Sequence, residues 1–260
     1  MEAYTDFASV YDELMDNTPY GQWCDNIVNV LGEYGINDGL VLDLGCGTGS
    51  LTQLLAAKGY DMIGVDYSEE MLNIACQKRD KSGYDILYLN QDMREFELYG
   101  TVCAIVSICD SINYLLEDED VVTCFKLVNN YLDPKGIFFF DFNTNYKYET
   151  IIGDRVIAET RDDCSFIWEN FYDPEEMMNE YDLTVFVRGN EEEPDTFHRF
   201  QETHFQRGYT LEEMRRFIEE AGLVFLKAYD ADTLEEVTPQ SQRIYCVAQE
   251  SMKRTSNRSE

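Results

Sequence analysis

The chain is poor in the residues that build metal sites and nucleic-acid surfaces. It has only two histidines, His198 and His204, and none of its eight cysteines stands in a Cys-x-x-Cys pair. A zinc site draws its ligands from these residue types, so no metal is assigned. Cys46, Cys76, Cys103, Cys109, Cys124 and Cys246 fall inside apolar segments, which reads as reduced thiols rather than a disulfide framework. Positive charge is scarce as well: 20 Lys and Arg stand against 51 Asp and Glu, a formal net charge of −31. No basic stripe or interleaved aromatic patch offsets that charge, so no nucleic-acid partner is expected. The start, Met1 to Asp6, lacks the basic segment and apolar core of a secretory signal. No run approaches the roughly 18 to 20 apolar residues of a membrane span. The expectation is a cytoplasmic protein with no membrane partner; the oligomeric state is not legible.

The 260 residues suffice for one α/β core with an insertion. The acidic clusters Glu117–Asp120, Asp173–Glu176 and Glu191–Glu193 read as solvated helix starts and turns. The most informative run is Val41-Leu42-Asp43-Leu44-Gly45-Cys46-Gly47-Thr48-Gly49. Val41 to Leu44 end a buried strand, and three glycines at alternate positions let the following turn pass close to a ligand with no Cβ in the way. The chain then becomes helical, so free N–H groups and the helix dipole face the same spot. After a second apolar run, Met62 to Val65, comes Asp66, about 20 residues past the first glycine, where an acid accepts hydrogen bonds from a ribose. That spacing favours an adenosine ligand. The dinucleotide pattern requires glycine where this chain has Ser50, which argues against NAD.

These residues resemble motif I of class I S-adenosylmethionine-dependent methyltransferases. Gly64 to Leu72 is similar to the second motif of that superfamily and Gln91-Asp92-Met93 to its third. The resemblance covers about 38 to 145 and, more loosely, 208 to 250. It implies S-adenosylmethionine as cofactor. Gly45, Cys46 and Gly47 would admit the methionine moiety, Asp66 would hold the ribose hydroxyls, and Tyr67 would pack on adenine. Asp92, with Gln91 and Met93, would reach the adenine amino group, and Cys109 would border the cofactor. Asp43 lies in an apolar strand, where an unpaired charge is costly. The resemblance implies that it organises the loop and approaches the methionine amino group; a purely structural cap on the loop amides is the other reading.

Strand-like runs near 40–44, 61–65, 85–89, 102–108 and 136–142 alternate with helical segments near 22–34, 50–58, 69–79, 119–131 and 211–221. Thr210-Leu211-Glu212-Glu213 is a capping box and Gly222 a stop for the last helix. Leu223 to Tyr229 and Ile244 to Gln249 complete the set, giving a Rossmann-like, doubly wound, mostly parallel seven-stranded sheet. Residues 155–206 break the alternation with three β stretches, about 156–172, 179–188 and 196–206, which reads as an inserted antiparallel β lid. The expected organisation is a helical cap over 1–37, a core over 38–150 and 207–250, a lid over 151–206 and a disordered tail over 251–260.

Acceptor chemistry is less legible. The resemblance implies a small-molecule acceptor, methylated at nitrogen or oxygen. Tyr4 to Met15 is similar to a short helix that folds over the cofactor in such enzymes, with Tyr11 the candidate lining residue. Tyr11, His198 and His204 are acid–base types and stand as catalytic candidates, with Glu202 beside them. Asn113 and Tyr114, after the fourth strand, and Trp168, in the lid, are acceptor candidates. No Asn-Pro-Pro-Tyr or Asp-Pro-Pro-Tyr tetrapeptide of amino-methylating enzymes occurs. Two alternatives remain at this level, an NAD-linked oxidoreductase and a cofactor-binding protein without turnover.

Overall fold

A computed structural model describes residues 8–189, 195–251 and 253. Tyr4 to Phe7 and most of the expected tail lie outside the described residues. Seven strands form the main sheet: β1 (Gly39–Leu44), β2 (Tyr60–Asp66), β3 (Ile86–Asn90), β4 (Val102–Ser107), β5 (Leu132–Asn143), β10 (Leu223–Asp230) and β11 (Arg243–Glu250). Their spatial order is β10-β11-β5-β4-β1-β2-β3, with β11 antiparallel to both neighbours and the central pairs parallel.

The central strands are apolar runs because both faces are covered. Successive side chains point to opposite faces. Leu42, Leu44, Phe138 and Phe140 therefore join one core with helices α5 (Asp118–Tyr131) and α6 (Leu211–Glu220). Val41, Ile137 and Phe139 join the other with α2 (Tyr20–Glu33) and α3 (Ser50–Ala57). Helix α4 (Glu69–Ser82) opens on a Ser68 cap and closes on left-handed Gly83. The capping box of α6 is present in both directions, Thr210 to the Glu213 N–H and Glu213 to the Thr210 N–H. Strand order reverses on either side of β1, so β1 and β4 diverge at their carboxyl ends, where open α/β sheets bind ligands.

The residues between β5 and α6 form a separate antiparallel sheet in the order β6 (Val156–Thr160), β7 (Cys164–Asp173), β8 (Met178–Arg188) and β9 (Phe197–Arg207). The stretch expected to be one strand over 156–172 is two. The Arg161 N–H donates to the Cys164 carbonyl at 2.8 Å, closing a hairpin across Arg161-Asp162-Asp163. The inner face of this sheet carries Phe166, Trp168 and Asn170 on β7 and Tyr181, Leu183 and Val185 on β8. Helix α1 (Ala8–Leu14) packs Val10 and Leu14 against it. No helix among the described residues is long and apolar enough to cross a membrane.

Candidate functional site

A cavity of about 340 Å3 opens at the carboxyl ends of β1 and β4. One wall is the glycine turn. Gly45 and Cys46 both donate to the Val65 carbonyl, at 2.8 and 3.0 Å, which bends the chain sharply out of β1. Gly45 takes φ +79°, and a Cβ there would stand 2.6 Å from Ser111 Oγ. At Gly47 (φ +52°) no atom lies within 4 Å of a Cβ position, and the residue borders the cavity. Asp66 ties the turn to the next element: its carboxylate accepts the Gly47 N–H at 2.7 Å and the Ser68 N–H at 2.9 Å. Burial pushes the Asp66 carboxyl up, and these N–H groups oppose that.

Asp43 sits beneath the turn, 2 % exposed, and accepts the Thr52 hydroxyl at 2.6 Å. Burial pushes its pKa up to about 7, against the Thr52 bond and with the nearby Asp66. The folded protein thus holds a proton that the unfolded chain releases near pH 3.8. The stability this proton confers is present in acid and is lost as the pH rises through about 7. Asp43→Asn keeps an acceptor for Thr52 and has no proton to lose. Urea unfolding from pH 4.5 to 7.5 should show the wild type losing stability relative to Asp43→Asn by more than about 1 kcal/mol; parallel curves would contradict a raised pKa.

Tyr67, Asp92, Met93 and Arg94 form a second wall. Arg94 clasps Asp92 through Nε and Nη2, and its N–H donates to the same carboxylate at 2.8 Å. That pairing holds the Asp92 carboxyl below the usual range. Gln91 is turned to loop structure instead, its Oε1 accepting the Glu97 N–H at 2.9 Å, and it does not line the cavity.

The third wall is the segment after β4. Cys109 and Asp110 are non-glycine residues with positive φ, 63° and 55°. Their N–H groups both donate to the buried Asp141 carboxylate, at 3.1 and 2.8 Å. Arg243 bridges Asp141 and Asp110, each at 2.7 Å. A short 3-10 turn, Ser111–Tyr114, then brings Ser111 and Tyr114 to the cavity. Asn113 is fully buried and points away. Its amide donates to the Asn143 and Arg207 carbonyls and accepts the Asn143 N–H, stapling β5 to β9. It is therefore a structural residue, not a cavity residue.

Tyr11 of α1 lines the cavity beside Cys109, with Tyr20 next to it. Asp12 anchors α1 to the glycine turn, accepting Thr48 at 2.7 Å and pairing with Lys78 at 2.5 Å. Burial pushes the Tyr20 hydroxyl well above the ordinary tyrosine range. His204 does not line the cavity but stands behind Tyr114, its Nδ1 3.1 Å from the Tyr114 hydroxyl. His198 is exposed at the far end of β9, opposite Val187. Trp168 packs on Tyr181 and donates to Asn170 at 3.0 Å, outside the cavity lining.

The structure thus gathers Tyr11, Asp43, Gly45, Cys46, Gly47 and Asp66 around one space, with Tyr67, Asp92, Met93, Cys109 and Tyr114. It leaves Gln91, Asn113, Trp168, His198 and His204 out of the lining. Tyr20, Ser111 and Arg94 are lining residues that sequence reasoning missed. Arg94, two residues after Asp92, was the one with a local signal. All eight cysteines carry free thiols. Among the described residues, no group of three or more His, Cys, Asp or Glu is placed to hold a metal ion.

Residues 41–136 match a family described as a methyltransferase domain. A putative methyltransferase of Bacillus subtilis, YqeM, is 39 % identical over 249 residues, covering 95 % of this chain and 97 % of its own. The crystal structure of an S-adenosylmethionine-dependent methyltransferase from Clostridium acetobutylicum superposes with a TM-score of 0.85 at 29 % identity, covering 96 % of this chain and all of its own. CalS10 from Micromonospora echinaspora, an amino pentose methyltransferase solved with S-adenosylmethionine bound, shares the fold at a TM-score of 0.73. It is 16 % identical, with 96 % of this chain and 99 % of its own covered.

Proposed function

Because this chain belongs to the class I S-adenosylmethionine-dependent methyltransferases, with S-adenosylmethionine as its cofactor, we propose that it methylates nitrogen or oxygen of a small-molecule acceptor. The observation that carries this reading is the cavity itself. It runs from the glycine turn to an aromatic end formed by Tyr11, Tyr20 and Tyr114, with α1 fastened across it by Asp12. A cavity of this size, with α1 held over part of it, suits a small acceptor better than a polymer. The amino sugar acted on by CalS10, a protein of the same fold, is a small molecule too.

The residues fit the cofactor. The open side of Gly47 is a cradle that any larger residue would fill. Asp66 and Asp92 lie on separate walls and would hold the ribose and the adenine edge, with Tyr67 and Met93, which also line the cavity, available to pack on the ring. Gly45 and Cys46 border the place for the methionine moiety, above buried Asp43. Bound there, the cofactor supplies an electrophilic methyl group on a cationic sulfur. What remains for the protein is to align the acceptor lone pair, exclude water and accept a proton. In this reading 38–150 and 207–250 act as the core, 1–37 as a cap and 151–206 as a lid over the acceptor end.

Thermal unfolding with S-adenosylmethionine, S-adenosylhomocysteine, NAD and NADP tests the first half; only the two sulfur nucleotides should raise the midpoint. Production of S-adenosylhomocysteine against a panel of amines and phenols tests the second. Tight cofactor binding with no turnover across the panel would favour a non-catalytic protein instead. Asp66→Ala should weaken S-adenosylhomocysteine binding by about 1.5 to 3 kcal/mol, the range for hydrogen bonds to a charged group. Unchanged affinity in the folded variant would remove Asp66 from the site.

A further inference from the structure

Behind Tyr114 lies a chain of buried polar groups. Glu202 and His204, 6 % and 1 % exposed, project from β9 onto the inner face of the second sheet. In register they stand opposite Leu183 and Tyr181, and α1 packs Val10 and Leu14 on the same cluster. A carboxylate at such a place is costly unless it is paired. The distances string the groups together: Glu202 Oε2 to His204 Nε2 is 3.2 Å, His204 Nδ1 to the Tyr114 hydroxyl 3.1 Å, and Tyr114 to the Tyr181 hydroxyl 2.9 Å. The Tyr181 and His204 rings stack at 4.7 Å and 6°, which fixes the imidazole plane. Tyr114 alone of these four borders the cavity.

We infer that Tyr114, His204 and Glu202 form a proton exit from the acceptor end of the cavity. The inference rests on the acceptor site proposed above. The negative charge of Glu202, 3.2 Å from Nε2, favours the tautomer with hydrogen on that nitrogen and leaves the Nδ1 lone pair toward Tyr114. In this arrangement the Tyr114 hydroxyl donates to Nδ1, and its oxygen is the atom that receives the acceptor's proton. On transfer, the acceptor lone pair forms the bond to the methyl carbon, while the carbon–sulfur bond breaks with its electron pair left on sulfur. The acceptor proton passes to the Tyr114 oxygen as the tyrosine proton passes to Nδ1. One positive charge disappears at sulfur and one appears on His204, beside the Glu202 carboxylate. Tyr114 is then a catalytic residue, and Glu202, acting through the histidine, a positioning residue. An acceptor served this way carries a removable proton, as a primary or secondary amine or a hydroxyl does.

The tautomer of His204 tests this without a known acceptor. With only two histidines in the chain, His198→Asn in 15N-histidine-labelled protein leaves one imidazole to observe by NMR. The expected spectrum has a proton on Nε2 and none on Nδ1. Tyr114→Phe should move the Nδ1 resonance, Glu202→Leu should shift population toward the Nδ1–H form, and Glu202→Asp, which keeps a negative charge at this position, should keep the Nε2–H form. A proton on Nδ1 in the wild type would overturn the proposal, because that nitrogen could not receive another. An unchanged tautomer in Glu202→Leu would remove Glu202 from it. In the amine and phenol panel, Tyr114→Phe and His204→Asn should slow transfer by about 100-fold or more, the contribution of a general base. Wild-type rates in both would also overturn it. S-adenosylhomocysteine binding, retained in both Glu202 variants, separates these outcomes from failure of the cofactor site, in which the wild type itself would not bind.

Discussion

Gly47→Val is expected to abolish S-adenosylhomocysteine binding while leaving the protein folded. Two effects act at this position, and they are separable. The backbone stands at φ +52°, where an L-residue costs roughly 1 to 2 kcal/mol, and a β-branched one at least as much. That strain lowers stability but does not by itself block a ligand. Occupancy does: no protein atom lies within 4 Å of the Cβ position and the residue borders the cavity, so valine methyl groups would enter the cofactor's space. Gly59→Val is the control. Gly59 also has positive φ (+101°) with no atom within 4 Å of a Cβ, yet it precedes β2 at the opposite edge of the sheet and does not line the cavity. At ligand concentrations of about 100 times the wild-type dissociation constant, the wild type gains about 2.7 kcal/mol of apparent stability. Gly59→Val should keep that gain and Gly47→Val should show none. A full gain in Gly47→Val would move the ligand off the glycine turn.

The glycine turn was readable because its chemistry is local. Gly45, Gly47 and Asp66 follow one another along a strand–turn–helix–strand unit, and pattern alone puts them on one wall. The seven core strands were readable for a related reason: continuous apolar runs such as Ile137 to Phe140 leave no alternative to burial on both faces. Elements whose conformation is decided at a distance were not. Asn113 sits at the carboxyl edge of β4, as expected of an acceptor contact, but the backbone N–H and carbonyl of Asn143 on β5 and the Arg207 carbonyl on β9 claim its amide. Trp168 has the composition of a pocket residue, yet it packs on Tyr181 within its own sheet. The two histidines share one face of β9 by period two and part company by depth, since α1 and the second sheet cover Glu202 and His204 and leave His198 in solvent. The break at Arg161–Asp163 was hidden because no glycine or proline marks it; it rests on Arg161 reaching the Leu14 carbonyl and Asp16 beyond α1.

Those long-range ties give the acceptor end its shape, and Asp141 carries the most concentrated of them. It is fully buried on β5, yet three donors converge on it: the Cys109 N–H, the Asp110 N–H and Arg243. Asp141→Ala is expected to destabilise the fold by about 3 to 5 kcal/mol, because removing one partner leaves a buried charge short of its counter-ion. Arg243 retains Asp110 at 2.7 Å, which argues for the lower part of that range. The two orphaned N–H groups argue for the upper part, since each buried donor left unsatisfied costs about 1 to 3 kcal/mol. Against a total stability of about 5 to 15 kcal/mol, the variant stays folded but near its threshold. Replacing Arg243 by Met in the same chain removes the stranded cation, so Asp141→Ala/Arg243→Met should be more stable than the two single losses added together. Urea unfolding of the four proteins measures this coupling directly. The functional consequence follows from the backbone. Cys109 and Asp110 hold positive φ without being glycine, a conformation costing of order 1 to 3 kcal/mol that persists only while its surroundings enforce it. Released from Asp141, that turn should relax and carry Tyr114 away from His204, so the folded fraction of Asp141→Ala should lose methyl transfer as well as stability. A stability loss within about 1 kcal/mol of wild type, the size of an ordinary substitution, would mean that this buried pair does not hold the turn.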